Sequence, residues 1–533
     1  MKKISSILLV VVLLMAVFTG CNSGETPTPT STPTPVDLLD LKDSTLFFNN
    51  NAFNAGPFIG DPFIYYEEET GVFYLYGTTR KYLKRETFDY YYSTDLVNWT
   101  HGGICFEPAK GDWCNDRLWA PEVYKIDGKY YMYYTGAKGS GTLHGSVAVS
   151  DSPEGPFTNY ISEEVTGRKA VFNFGNNFPT IDGSLFIDDD GSMYYYFVRD
   201  QIGDNASSGG NNGTVRSTLW GIELENPYTI KDGAEPVKLT EVGRSSLDEK
   251  GSYTQKWERQ NGLWNEGPFL LKHEGKYYLT YSANYWGSPN YSVGYATSDS
   301  PLGAYTKGEN AQVMGIEPGN ESNWDYFIGT GHAMFLNIGS QRYFVYHTLM
   351  PNTDAYRHVT IDSFGFREDG SLYINGPTLS LQPLPSAVTG YSNVAAKAEV
   401  SATNCEESTI GSLTDGEVNT MMKYADYAMK TTGGKTEITF TFEQPVSVKA
   451  VLAYNSANVE TMFTTVNQIK LDDTYVFENI AVQTDSYDDK QVYAGSCAIM
   501  ELERAVSVSN ITMIIETDKP VQISEIMILA ADA

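Results

Sequence analysis

Four acidic residues and one histidine stand at the entrances of short apolar runs. Asp61 precedes Pro62, and Asp182 follows Ile181. Glu266 lies between Trp264-Asn265 and the Gly267-Pro268 break, directly ahead of Phe269-Leu270-Leu271. Glu122 closes Trp119-Ala120-Pro121-Glu122, and His332 follows Gly331. No arrangement of Ser, His and Asp, or of Cys and His, points to an activated hydroxyl or thiol. Carboxylates in pairs suit cleavage of an acetal. One carboxylic acid protonates the leaving oxygen, and one carboxylate activates water or attacks the sugar. A third carboxylate can keep the acid protonated by repulsion and orient it.

These residues are far apart in sequence, so the fold has to collect them. A hairpin of two apolar, tyrosine-rich strands occurs five times. Pro62-Phe63-Ile64-Tyr65-Tyr66 turns near Gly71, and Pro121-Glu122-Val123-Tyr124 turns at Asp127-Gly128. Ser184-Leu185-Phe186-Ile187 turns at Asp190-Gly191, Phe269-Leu270-Leu271 turns at Gly275, and Met334-Phe335-Leu336 turns at Gly339. Outer-strand pieces such as Val147-Ala148-Val149-Ser150-Asp151-Ser152-Pro153 and Tyr295-Ala296-Thr297-Ser298-Asp299-Ser300-Pro301 trail several copies. Four short strands per unit, five units and almost no helical period predict an all-β, five-bladed β-propeller. The innermost strand of each blade starts at the central channel, so Asp61, Glu122, Asp182, Glu266 and His332 are expected to converge there.

The motifs also resemble a known family. Asp61-Pro62, Trp119-Ala120-Pro121-Glu122, Ile181-Asp182-Gly183, Asn265-Glu266-Gly267-Pro268 and Gly329-Thr330-Gly331-His332 occur in the order of glycoside hydrolase family 43. Ser93-Thr94-Asp95-Leu96-Val97-Asn98-Trp99 is similar to that family's first outer strand. The resemblance implies Asp61 as general base, Asp182 as pKa modulator and Glu266 as general acid, with inversion at the anomeric carbon. The two catalytic carboxyl groups are then expected about 6.5 to 9.5 Å apart. It further implies that Arg357 binds the sugar at the cleavage subsite. Trp119, Trp264 and Trp286 are candidates to stack on sugar rings. No cofactor is required, and His332 is a candidate to hold a structural calcium ion through its water shell. The implied substrates are α-L-arabinofuranosides or β-D-xylosides in plant or microbial polysaccharides and oligosaccharides. β-D-Galactofuranosidase or endo-arabinanase action is the alternative within the family. A non-catalytic carbohydrate-binding propeller is the alternative outside it, and three converging acids argue against that reading. Family 32 fructan hydrolases share the architecture, but Gly60-Asp61-Pro62-Phe63 and Glu266-Gly267 depart from their motifs.

Charge and composition agree with a sugar-acting protein. The 533 residues carry a formal net charge of -29, which argues against nucleic acid as a partner. The 38 tyrosines suit both β-strands and sugar faces, and strand propensity alone accounts for them. Lys2-Lys3, an apolar run over 7–18 and Phe18-Thr19-Gly20-Cys21 resemble a bacterial lipoprotein signal, with Cys21 as the acylated residue. Phe18 replaces the usual leucine, and simple secretion is the alternative. A Thr/Pro-rich spacer follows, of semi-rigid extended type. The expected location is the outer side of the bacterial cell membrane, through the lipid anchor, with the body acting as a monomer. Cys105 with Cys114, or Cys405 with Cys497, could form disulfides or remain buried thiols.

The expected organisation is a signal at 1–21, a linker at 22–37, the propeller at 38–386 and a β-sandwich at 387–533. Glu437-Ile438-Thr439-Phe440-Thr441-Phe442 alternates cleanly, and Val448 to Tyr454 and Ile511 to Ile515 read as buried strands. Ser412-Leu413-Thr414-Asp415-Gly416 and Gln522-Ile523-Ser524-Glu525-Ile526 resemble discoidin (F5/8 type C) sandwiches. A structural or weak targeting role is expected. The sugar is expected to depend on the loop walls at 81–88 and 201–214.

Overall fold

The five hairpins are the inner strands of five antiparallel sheets. Each sheet runs in sequence order, with strand 1 beside strand 2, 2 beside 3 and 3 beside 4. Blade 1 has Gly60–Glu67, Val72–Thr78, Phe88–Ser93 and Thr100–Phe106. Blade 2 has Asp116–Ile126, Lys129–Ala137, His144–Ser150 and Thr158–Asn159. Blade 3 has Thr180–Ile187, Met193–Asp200, Ser217–Asn226 and Thr229–Ile230, with Val237–Lys238 beside its third strand. Blade 4 has Asn265–His273, Lys276–Ala283, Ser292–Ser298 and Gln312–Met314, and blade 5 has Ile328–Ile338, Gln341–Leu349, Arg357–Phe366 and Leu372–Ile374. This computed structural model describes residues 35–50, 58–78, 86–160, 170–175, 177–200, 217–250, 253–316, 327–349, 357–484 and 493–531. The Cys21 signal and the loop stretches 81–85 and 201–214 lie outside the described residues.

The turns follow the chemistry of their residues. Ile126 pairs with Lys129 across Asp127-Gly128, both at positive φ (49° and 77°), and His273 pairs with Lys276 across Glu274-Gly275 (48° and 78°). Two central residues at positive φ match the right-handed twist of the strands they join.

The tyrosines do more than favour strands. Tyr76, Tyr133 and Tyr196 hold equivalent places on the second strands of blades 1, 2 and 3, and all three are buried. Each donates its hydroxyl to a proline carbonyl in the outer turn of the next blade. The acceptors are Pro153 at 2.5 Å, Pro227 at 2.6 Å and Pro301 at 2.7 Å. Blades pack face to face on apolar rings, and one polar tip per ring fixes the neighbour's position.

A second ring of contacts encircles the channel. Every first strand carries a bulge at which pairing shifts by a residue, and those of blades 2 and 5 carry a second one nearer the strand start. At the bulges stand Asp61, Ala120, Asp182, Gly267 and His332, with φ of 52°, 46°, 54°, 58° and 51°. For the four that are not glycine this conformation costs about 1–2 kcal/mol each. Their N–H groups are all accepted by the preceding blade. Ala120 donates to Thr78 Oγ1 (2.9 Å), Asp182 to Thr135 Oγ1 (2.9 Å), His332 to Ser282 Oγ (2.7 Å) and Asp61 to His347 Nδ1 (3.2 Å). The corresponding place in blade 3 is Val198, which cannot accept. There Asp182 Oδ2 takes the Gly267 N–H at 3.1 Å instead. The Asp61 link to His347 closes blade 5 onto blade 1.

Residues beyond the propeller form an eight-stranded antiparallel sheet. Its two longest strands, Gly434–Asn455 and Cys497–Thr517, break register at 441–446 and 448–450. One core cluster of this sheet holds Ile438, Phe440, Val451, Met513, Ile526 and Ile528, all buried. Val36 joins that core, and the Leu39 N–H donates to the Glu501 carbonyl at 2.8 Å. Phe47-Phe48 then pairs with Gln382–Pro383, and Asn50 donates to Asp362 Oδ1 of blade 5 at 2.8 Å. Across the junction Arg367 of blade 5 makes a two-pronged pair with Glu417 at 2.7 and 2.5 Å. The four cysteines at 105, 114, 405 and 497 are free thiols.

Candidate active site

The Asp61 side chain is about 10% exposed and receives donors on both oxygens. Arg357 Nη1 lies 2.6 Å from Oδ1, and Thr78 Oγ1 donates to Oδ2 at 2.5 Å. Gly60 makes room for the guanidinium, because a Cβ there would lie 1.8 Å from Arg357 Cζ. His332 Nδ1 stands 3.2 Å and His347 Nδ1 3.7 Å from Oδ1. Burial by itself pushes the Asp61 pKa up, but Arg357 first, then His332 and His347, and last the Thr78 hydrogen bond outweigh it and hold the carboxyl well below the usual range. Burial pushes both histidines down, so near neutral pH Arg357 is the standing cation beside Asp61.

Glu266 sits in the opposite environment. It precedes the bulge of blade 4 by one residue and pairs with Ser282. Burial raises its pKa to about 7, against hydrogen bonds from Tyr291 and Trp264 that pull it down. Tyr291 donates its hydroxyl to Oε1 at 2.7 Å, and Trp264 Nε1 donates to Oε2 at 2.5 Å. Its neighbour Asn265 is fixed by Ser217 Oγ at 2.7 Å and by Glu258 Oε2 at 3.3 Å. Glu258 is itself buried and paired with Lys307 at 2.9 Å.

Asp182 feels the charge of both. Burial raises its pKa well above the usual carboxylate value, and the Glu266 and Asp61 charges add to that. Two buried carboxyls that repel each other share protons as a unit. One expected member of the ring is displaced. Glu122 stands two residues past the bulge of blade 2, so Ala120 holds the channel place. Glu122 instead accepts a hydrogen bond from Tyr124, and burial raises its pKa to about 8.

His332 does occupy the ring, with Nδ1 facing Asp61 and, at 4.0 Å, Asp182 Oδ2. Among the described residues no three His, Cys, Asp or Glu side chains gather as a metal-binding group. Calcium takes oxygen ligands, so an ion beside the His332 ring would be met through water, as the resemblance implies.

The three tryptophans separate. Trp264 is half-buried, with its N–H committed to Glu266. Trp119 is half-buried against the cluster of Ile181, Tyr196 and Leu270. Trp286 is 36% exposed and carries the Arg357 guanidinium 4.8 Å from its ring centre. Tyr285 beside it, 52% exposed, was not anticipated from sequence. Neither were the supporting roles of Thr78, Tyr291 and His347. A signal existed, because antiparallel order returns the end of each second strand and the start of each third strand to the channel end. Thr78 and Leu349 end second strands, and Ser217, Ser292 and Arg357 begin third ones.

This geometry has relatives. Residues 56–372 match Glycosyl hydrolases family 43. The chain is 27% identical over 314 residues to Beta-D-galactofuranosidase xynD of Aspergillus niger, covering 56% of this chain and 78% of that one. It is 28% identical over 291 residues to Xylosidase/arabinosidase 43A of Humicola insolens, covering 52% and 81%. The crystal structure of a thermostable family-43 glycoside hydrolase is similar at 32% identity and a TM-score of 0.51, over 63% of this chain and 99% of that one. The chain belongs to glycosyl hydrolase family 43, and it is a glycosidase.

Proposed function

We propose that Glu266 is the general acid, Asp61 the general base and Asp182 the group that tunes Glu266, in an inverting hydrolysis. The observation that carries this is the division of environments in one channel. Asp61 is held ionised beside Arg357, while burial keeps Glu266 able to carry a proton to about pH 7. Glu266 passes its proton to the glycosidic oxygen as the bond to the anomeric carbon breaks. Water attacks that carbon from the other face, and its proton goes to Asp61. Arg357 holds Asp61 in place and borders the sugar together with Trp286.

The proposed substrates are α-L-arabinofuranosides and β-D-xylosides, with β-D-galactofuranosides as the further option, in line with the named activities of the relatives. Aryl glycosides of the three sugars test this. Turnover of one or more is expected, and a protein that binds oligosaccharide yet turns over none overturns the enzymatic reading. A calcium ion in the channel is proposed only in water-shelled form beside His332, and no step uses it. The sandwich is proposed as a structural partner, supported by Val36, Phe47 and the Arg367–Glu417 pair. Residues 18–21, after Lys2-Lys3 and the apolar run over 7–18, support a lipid anchor on the outer side of the cell membrane, with simple secretion as the alternative.

Asp182→Asn gives a test of the tuning with a defined sign. Removing one of two like charges lets the remaining proton leave at lower pH. The alkaline limb of kcat/KM is expected to move down by about one pH unit. An unmoved limb contradicts the pairing.

A further inference from the structure

The acid is gripped more fully than proton donation alone requires, and the grip is chemically specific. Both Glu266 oxygens accept a neutral donor, Tyr291 O–H on Oε1 at 2.7 Å and Trp264 N–H on Oε2 at 2.5 Å. Tyr291 is fully buried. Its ring occupies the space that a side chain at position 331 would take, since a Cβ on Gly331 would lie 2.1 Å from Tyr291 Cε1. The same ring stacks on His347 with centroids 5.6 Å apart and planes at 17°, and His347 Nδ1 accepts the Asp61 N–H. One tyrosine thus touches the acid directly and the base through one imidazole.

We propose that Tyr291 is a positioning residue for Glu266: with Trp264 it fixes the carboxyl plane and takes up the charge left when the proton departs. The inference rests on Glu266 being the acid. As that proton moves to the leaving oxygen, negative charge grows on Oε1 and Oε2. Donors already aimed at those atoms in a dry site strengthen as the charge grows and need no rearrangement. Tyr291 remains a neutral donor throughout, because burial and then the Glu266 charge raise its pKa well above the ordinary tyrosine value. The charged and titratable groups facing Glu266 are Asp61, Asp182 and Arg357, with His332 packed against Gly267. Asp61 and Asp182 oppose ionisation of the acid. Arg357 favours it, as do the two neutral donors.

The readout that separates this role from a merely structural one is the leaving group. Tyr291→Phe, Trp264→Phe and Glu266→Gln are compared on an alkyl glycoside and the 2,4-dinitrophenyl glycoside of the same sugar. Tyr291→Phe is expected to lower kcat about tenfold on the alkyl glycoside and less than about threefold on the dinitrophenyl one, whose leaving group needs no proton. Its alkaline limb is expected to rise by about one pH unit, because the ionised form loses a donor. Equal losses on both substrates, or an unmoved limb, overturn the proposal. If Tyr291→Phe does not fold, Trp264→Phe is read by the same two criteria. Glu266→Gln reports on the underlying reading separately. A loss confined to the alkyl glycoside sustains it as the acid, and a uniform loss refutes that assignment whatever the tyrosine does.

Discussion

Asp61→Ala is expected to lower kcat about 100- to 10,000-fold on every glycoside the protein cleaves, regardless of leaving group. The base acts on the attacking water, so a better leaving group does not replace it. Under the proposed roles the loss should appear in kcat more than in KM, because Asp61 would act on the attacking water while Arg357 would still border the sugar. Arg357 would then lack its partner at 2.6 Å, and the unpaired, partly buried charge has a cost that a thermal melt would register. Azide gives the confirming arm. As an anion that attacks without a base, it should restore turnover in Asp61→Ala and yield a glycosyl azide. An Asp61→Ala protein within threefold of the wild type removes Asp61 from the mechanism.

Glu266→Gln is expected to lower kcat by a similar factor of about 100 to 10,000 on natural linkages, yet to spare activated aryl glycosides. Gln keeps the side chain's size, and its oxygen can still accept from Tyr291 or Trp264. The change therefore removes the proton and little else. The alkaline limb of wild-type kcat/KM should fall near the Glu266 pKa of about 7 and should be absent in Glu266→Gln. A limb that persists in the variant assigns it to another group.

Much of this site was legible because its residues sit beside strong punctuation. Asp-Pro, Trp-Asn-Glu-Gly-Pro and Ile-Asp-Gly each precede a strand whose hairpin turn and tyrosines announce it. What misled the placement of Glu122 was counting from the acid instead of from the break. Asp61-Pro62, Ala120-Pro121 and Gly267-Pro268 are the equivalent pairs, since proline fits the bulge residue that does not donate to the ladder. Aligned on proline, Ala120 enters the ring and Glu122 falls two residues outside it. The partners of the acids were harder to see for a different reason. Thr78, His347, Tyr291 and Arg357 contact carboxylates on other strands or other blades, from 17 residues away for Thr78 to 296 for Arg357, and the alternation within one strand does not encode its neighbours. The tyrosine count carried information that propensity could not supply, namely the Tyr76, Tyr133 and Tyr196 bonds from blade to blade.

The central claim is that Glu266 and Asp61 work on opposite faces of one sugar, with water rather than a carboxylate attacking. Proton NMR of the first product, recorded during turnover before mutarotation, tests it most directly. The account predicts that the anomeric configuration of the released sugar is inverted relative to the substrate. Retention would require a covalent glycosyl-enzyme, and would contradict it.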